Sequence, residues 1–301
     1  MLLLGLLVGC GTSTQPSQSA QPAATSILTP PQATRTPAPS TATPTAAPAA
    51  AQPTGPSSSA QPSADDWLTY QHDAQRSGRA AGSYDPANAH QLWETPPLDG
   101  LVYAQPLVQG DRVYVATQND TVYALDAASG GVVWQSHVGE PVPRSSLPCG
   151  NVDPTGILST PVIEPSTGVL YAVAFVQPPH HELYAFDLAS GNVRFHQPID
   201  PPGVSPLPHQ QRSALSLSQG TVYVPYGGLF GDCGSYHGWV LAASASDGSQ
   251  TAVYQVPTQR EGAIWAPAGA PIDSAGDLFV ATGNGDSTSQ FDYANAVVRL
   301  S

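Results

Sequence analysis

Short runs of β-branched and aromatic residues, broken by Asn, Asp, Gly and Pro, fill the chain from residue 100 onward. The clearest unit is Asp111–Trp134. Val113–Ala116 forms one apolar run, Gln118-Asn119-Asp120 interrupts it, and Thr121–Leu125 forms a second. Asp126–Gly130 reads as a turn, and Val132-Val133-Trp134 opens a third run. Runs of this composition bounded by turn formers predict antiparallel strands joined by hairpins.

The unit recurs. Its first strand returns as Gly168–Phe175, Gly220–Pro225 and Gly276–Thr282, and its second as Glu182–Asp187, Gly238–Ala242 and Ala296–Ser301. The turn returns as Asp187–Gly191 and, degraded, as Ser246–Gly248. A further strand precedes each unit, at Tyr103–Val108, Ser159–Ile163, Arg212–Leu217 and Trp265–Ile272. Four strands per repeat and a period of roughly 50–60 residues fall in the range of propeller blades. The pattern predicts an all-β chain, a β-propeller of four-stranded antiparallel blades with about four blades present. A blade cannot bury both faces alone, so Trp134 and Phe195 are expected to fill the wedge between neighbours. Gly130 and Gly191 are expected to free the backbone for the turn before them.

Ala124-Leu-Asp-Ala-Ala-Ser-Gly130-Gly-Val-Val-Trp134 closely resembles the tryptophan-docking motif of pyrroloquinoline-quinone (PQQ) type propellers. Ala185–Phe195 matches it with Phe in place of Trp, and the third copy departs, with Ser244 and Ala252 at the Asp and Trp positions. Trp67–Gly78 resembles the lead-in of such proteins. The resemblance covers residues 65–301 and implies a ring of seven or eight blades. The last repeat stops at Ser301, where the Asp of a next motif would fall, so the chain is expected to be a fragment of that ring.

The same family includes quinoprotein alcohol and sugar dehydrogenases. Ile264–Asp273 followed by Ala281–Asp286 is similar to the blade of those enzymes in which a Trp floors the quinone and an Asn helps bind calcium. The resemblance therefore implies Trp265 as a possible quinone-stacking residue and Asn284 as a possible calcium ligand, with PQQ and calcium as possible cofactors. Asp286 is a nearby oxygen donor that no family position supports. The vicinal Cys pair common in those dehydrogenases is missing, and their metal-binding Glu has no clear counterpart; Asp232 lies near such a place only loosely. The plainer readings are inter-blade packing for Trp265 and a turn cap for Asn284.

The N-terminus changes the picture. Residues 2–9 are apolar and precede Cys10, and Leu7-Val8-Gly9-Cys10 resembles the bacterial lipobox. Residues 1–10 are then a lipoprotein signal with Cys10 the lipidated residue, an ordinary secretory signal being the alternative. Residues 11–64 are almost entirely Ser, Thr, Ala, Pro and Gln, a composition that predicts a disordered tether between anchor and propeller. The expected location is the extracytoplasmic face of a bacterial membrane.

Charge is sparse, and all nine basic residues are Arg against 22 acidic ones, a formal net charge of −13. Arg35 is the only charge before Asp65, so the folded part is acidic and lacks the basic footprint of a nucleic-acid binder. With Cys10 assigned to lipid, Cys149 and Cys233 remain, either as a disulfide or as two separate buried thiols. His180-His181-Glu182 reads as a solvated hairpin tip. A Cys233/His237 nucleophile pair competes with the disulfide. The aromatic and Gly-rich Tyr226–Trp239 stretch is the loop expected to make partner contacts. The function expected is a membrane-anchored binding or scaffold propeller, with a PQQ- and calcium-dependent dehydrogenase as the alternative.

Overall fold

The computed structural model describes residues 63–83 and 85–301. Cys10 and all but the last two residues of the tether lie outside the described residues. Three blades are complete. The first contains β1 (Leu107–Gln109), β2 (Arg112–Ala116), β3 (Thr121–Asp126) and β4 (Val132–His137). The second contains β5 (Val162–Glu164), β6 (Val169–Val176), β7 (His180–Asp187) and β8 (Val193–Pro198). The third contains β9 (His209–Gln210), β10 (Ser216–Ser218), β11 (Thr221–Gly228), β12 (Trp239–Ser244) and β13 (Gln250–Gln255). β14 (Leu278–Ala281) and β15 (Val297–Leu300) form a two-stranded fourth sheet. All pairs are antiparallel and sequential, except that β9 extends the third sheet by pairing with the end of β11. The sheets form an open propeller.

Burial follows from stacking. β6 is buried at every position, because blade 2 has a neighbour on each face. Its side chains alternate between two cores: Leu170, Ala172 and Ala174 pack with Leu107, Tyr114 and Val122 of blade 1. Val169, Tyr171 and Val173 pack with Val222, Val224 and Leu241 of blade 3. A strand buried on both faces reads as a continuous apolar run. Outer strands β4, β8 and β13 have no buried position, since each lies at a blade's free edge.

Register places the motif residues. Trp134 opposes Ala124, Phe195 opposes Ala185, and Ala252 opposes Ala242, each beside a β-bulge. Each plug ring lies against the glycine of the next docking turn. A Cβ added to Gly191 would meet the Trp134 ring at 2.5 Å, and one on Gly248 would meet the Phe195 ring at 2.7 Å. These glycines have φ of +72° and +75°, so both the turn and the approaching ring call for a residue without a Cβ. The motif Asp and Ser build the turn: Asp126 Oδ1 accepts from the Ser129 N–H and hydroxyl, and Asp187 Oδ1 accepts from Ser190 likewise. Trp134 Nε1 donates to Leu188 O at 3.0 Å. Phe195 has no such donor, and the matching carbonyl, Ala245 O, accepts from the Tyr171 hydroxyl at 2.8 Å.

Trp93 carries the same role ahead of blade 1. Its ring lies against Gly130, where a Cβ would approach to 2.5 Å, and its Nε1 donates to Ala127 O at 2.9 Å. The sequence reading missed it because no docking motif surrounds it.

The lead-in residues cross the inner edges of all four blades. Trp67 exchanges two backbone hydrogen bonds with Val108, Leu68 O accepts from Ile163 N, and Ala74 O accepts from Ile272 N. At blade 3, Arg76 Nη2 donates to Leu215 O at 3.0 Å and to Ser216 Oγ at 2.7 Å. The inner strands themselves are short. The strand expected over Trp265–Ile272 is absent there apart from a bridge between Ile272 and Leu278, and β10 and β5 start later than the pattern suggested. These inner segments hydrogen-bond to the lead-in and to each other, as in Ala214 N to Pro267 O, instead of extending a sheet.

Candidate functional site

Trp265 lies where blade 4 begins, next to Ile264, whose N–H donates to Tyr226 O at 3.0 Å. Two glycines make room for it: a Cβ on Gly227 would lie 3.1 Å from Trp265 Cβ, and one on Gly283 would lie 2.4 Å from Nε1. The indole is 43% exposed. The Arg212 guanidinium sits over the ring, 5.1 Å from its centroid, and Arg212 Nε donates to Trp265 O at 3.0 Å. A planar ligand stacking on that face would have to displace Arg212. Burial holds the Arg212 pKa below its ordinary value.

Asn284 follows β14 and meets Glu261, a residue outside every motif of the sequence. Its Nδ2 donates to Glu261 Oε2 at 2.7 Å. Glu261 is buried, has φ of +70°, and its backbone bridges His237 on one side and Gly285 on the other. Its other oxygen, Oε1, pairs with Arg260 Nη2. Arg260 also donates to Asp232 O at 2.9 Å and to Gly234 O at 3.4 Å, and its Nε faces Asp286 Oδ2 at 3.5 Å. Calcium takes six to eight oxygens in direct contact. Here both Glu261 oxygens are already engaged, by a guanidinium and by an amide N–H, and Asn284 turns its donor end toward the carboxylate. This donor set does not fit calcium as it stands. Among the described residues, no group of three or more His, Cys, Asp or Glu is arranged to hold a metal ion.

The Tyr226–Trp239 stretch is not a loop throughout. β11 runs to Gly228 and β12 starts at Trp239, leaving residues 229–238 as the connection. Tyr226 is fully buried and its hydroxyl donates to Ile199 O. Tyr236 is buried against Gly228, where a Cβ would lie 2.4 Å from the ring, and its hydroxyl donates to Asp232 Oδ1. Cys233 is bonded to Cys149, so its sulfur is no thiolate for His237 to activate. Leu229 packs with Val142, Leu147 and Phe175 beneath the bond, while Phe230 beside it is 68% exposed.

His180-His181-Glu182 departs from the expected solvated tip. The side chains alternate between faces, but blade 2 is covered on both. His181 is buried, stacks on Phe175 at 4.1 Å, and its Nδ1 meets Asp200 Oδ1 at 2.7 Å. Glu182 meets His180 Nε2 and His196 Nδ1, each at 3.0 Å, and accepts from the Tyr184 hydroxyl. Two other buried groups escaped the sequence reading. Burial pushes His209 down to about 4, and its Nε2 accepts from Trp239 Nε1 at 3.3 Å. Asp120 is fully buried and neither carboxyl oxygen makes a hydrogen bond of ordinary geometry, although the backbone N–H groups of Ile157 and Phe175 face it. Burial pushes its carboxyl up to about 9.

A family model of PQQ repeats, described as outer membrane protein assembly factor BamB, matches residues 76–300. No curated protein matches the sequence significantly. Among solved structures, a quinohemoprotein alcohol dehydrogenase from Comamonas testosteroni is similar, with TM-score 0.60 and 20% identity over 78% of this chain and 39% of that chain. A quinohemoprotein alcohol dehydrogenase from Pseudomonas putida HK5 gives TM-score 0.60 and 18% identity over 74% of this chain and 35% of that chain. A europium-containing methanol dehydrogenase gives 0.51 and 13% over 74% and 43%. The chain thus spans well under half the length of these three enzymes, and at such identities the likeness shows the fold alone.

Proposed function

This chain belongs to the PQQ-repeat propeller family described as outer membrane protein assembly factor BamB, and on that premise we propose that it is a membrane-anchored, extracytoplasmic module that binds or scaffolds other proteins. The observation that carries this reading is the surface at Phe230. The ring is 68% exposed, yet the segment bearing it is held by the Cys149–Cys233 bond, by buried Leu229 and Tyr236, and by Arg260. An exposed aromatic on a pre-ordered loop loses little conformational entropy on binding, the usual character of an interface anchor. The family description names a factor that assists proteins, which supports a protein partner. The acidic charge supports a partner other than nucleic acid. Cys10 carries the lipid in this reading, and residues 11–64 tether the propeller to the membrane.

A photo-crosslinking residue at position 230 tests the role in the producing cell. It should trap a defined envelope protein, whereas the same residue at Val193, exposed on outer strand β8, should not. Palmitate labelling should disappear in Cys10→Ser. Equal crosslinking from the two positions would sink the binding role. The alternative, a quinoprotein alcohol or sugar dehydrogenase, draws support from half-exposed Trp265. PQQ plus calcium giving a bound-quinone spectrum and dye-linked alcohol oxidation, both lost in Trp265→Ala, would favour it instead.

A further inference from the structure

We propose that Arg260 is a built-in cation that closes the corner between blades 3 and 4, so that this corner is held without a metal ion. The inference does not depend on the binding role above. Four oxygens of three separate segments converge on one guanidinium: Asp232 O and Gly234 O from the disulfide loop, Glu261 Oε1, and Asp286 Oδ2 from the loop after β14. Two carboxylates and two carbonyls are a hard-oxygen set that otherwise suits a divalent cation. A guanidinium serves them differently. It is fixed to the chain, always charged, and planar with several donors, so it can reach oxygens on three loops at once.

The backbone is shaped around this arrangement. Glu261 adopts φ of +70° although it has a Cβ, a conformation that costs free energy unless its surroundings enforce it. In that pose its N–H donates to Tyr236 O and its carbonyl accepts from Gly238 N. Its carboxylate reaches Arg260 on one side and Asn284 on the other. Glu261 is nearly enclosed and Arg260 only about one-third exposed, so the charge of Glu261 is balanced at the point of burial. Removing the guanidinium leaves Glu261 Oε1, Asp286 and the two carbonyls without their donor, and the Asn284 amide is free to turn its oxygen inward.

The test compares wild-type protein with Arg260→Ser, both carrying the disulfide, by calcium titration calorimetry, terbium luminescence and hydrogen exchange. Wild type should show no saturable calcium binding up to millimolar concentration, and a chelator should leave its exchange pattern unchanged. Arg260→Ser should lose amide protection at Glu261 and Gly238. It should regain that protection on adding calcium, with a Kd on the order of 10⁻⁴–10⁻³ M, as for weak extracellular sites. Glu261→Gln added to Arg260→Ser should abolish the binding. Calcium binding by wild type that Glu261→Gln removes would overturn the proposal, as would a folded Arg260→Ser with undisturbed protection and no response to calcium. Arg260→Gln, closer in volume, provides the same comparison if the serine variant does not fold, and the wild-type titration decides its own half regardless.

Discussion

The contact between Trp134 and Gly191 can be tested as an energetic unit, because the structure predicts that two damaging substitutions will partly cancel. Trp134→Ala removes a half-buried ring from the wedge between blades 1 and 2 together with its hydrogen bond to Leu188 O. Large-to-small aromatic changes in cores cost about 3–5 kcal/mol, and partial exposure puts this one near the lower end, about 3 kcal/mol. Gly191→Ala has two separate costs. A residue with a Cβ at φ +72° loses about 1 kcal/mol. The new methyl would lie 2.5 Å from the Trp134 ring, an overpacking worth about 2 kcal/mol. In the Trp134→Ala background that clash vanishes and only the backbone cost remains. The double variant should therefore lose about 4 kcal/mol where simple addition gives about 6, a coupling of about 2 kcal/mol. Urea unfolding followed by far-UV circular dichroism measures this without relying on the deleted indole, provided the m-values agree. Costs that add to within about 0.5 kcal/mol would refute the account of Gly191 as the seat of the Trp134 ring.

Other consequences follow from the buried groups. Asp120 holds its proton in the folded state up to about pH 9 but releases it near 3.8 when unfolded, so it lowers stability as pH rises between those values, by up to about 1.4 kcal/mol per unit. Asp120→Asn should be more stable than wild type at pH 8, with the gain vanishing toward pH 4; urea midpoints across that range that stay parallel would contradict this. His209 works in the opposite sense, since burial depresses its pKa from 6.5 to about 4 and its contribution is lost as pH falls through that window. The Asp120→Asn variant should therefore show stability rising with pH between about 4 and 6.5, and His209→Gln on top of it should flatten that rise. Reducing the Cys149–Cys233 bond, which spans a sequence separation of 84, should lower stability by about 4–5 kcal/mol, read as a fall in urea midpoint with reductant that Cys149→Ser/Cys233→Ser no longer shows. Arg76→Lys keeps the charge but cannot reach Thr69, Tyr70 O, Leu215 O and Ser216 together, and should cost about 2 kcal/mol by the same unfolding assay.

The local sequence determined the blades. A hairpin's register depends on period-two alternation and on turn chemistry, both of which are contiguous along the chain. Asp126-Ala-Ala-Ser-Gly130 therefore announces its turn, and the departure of the third copy at Ser244 and Ala252 can be read before any coordinates. The tertiary structure decided what depends on residues far apart. Trp93 carries no motif, and only the stacking of blades reveals it on Gly130. His181 looked exposed because His180-His181-Glu182 reads as a hairpin tip, and only the presence of a blade on each side shows that both faces are covered. Asn284 resembled a metal ligand in its own short motif, yet its partner Glu261 lies 23 residues earlier and comes with Arg260 attached. Local spacing specifies which strands form and how they turn. The adjacent Arg260–Glu261 pair can be read in the sequence, but the contacts that carry it to Asn284, Asp286 and the Asp232 carbonyl are set by the packing of whole sheets, and no short stretch of sequence contains them.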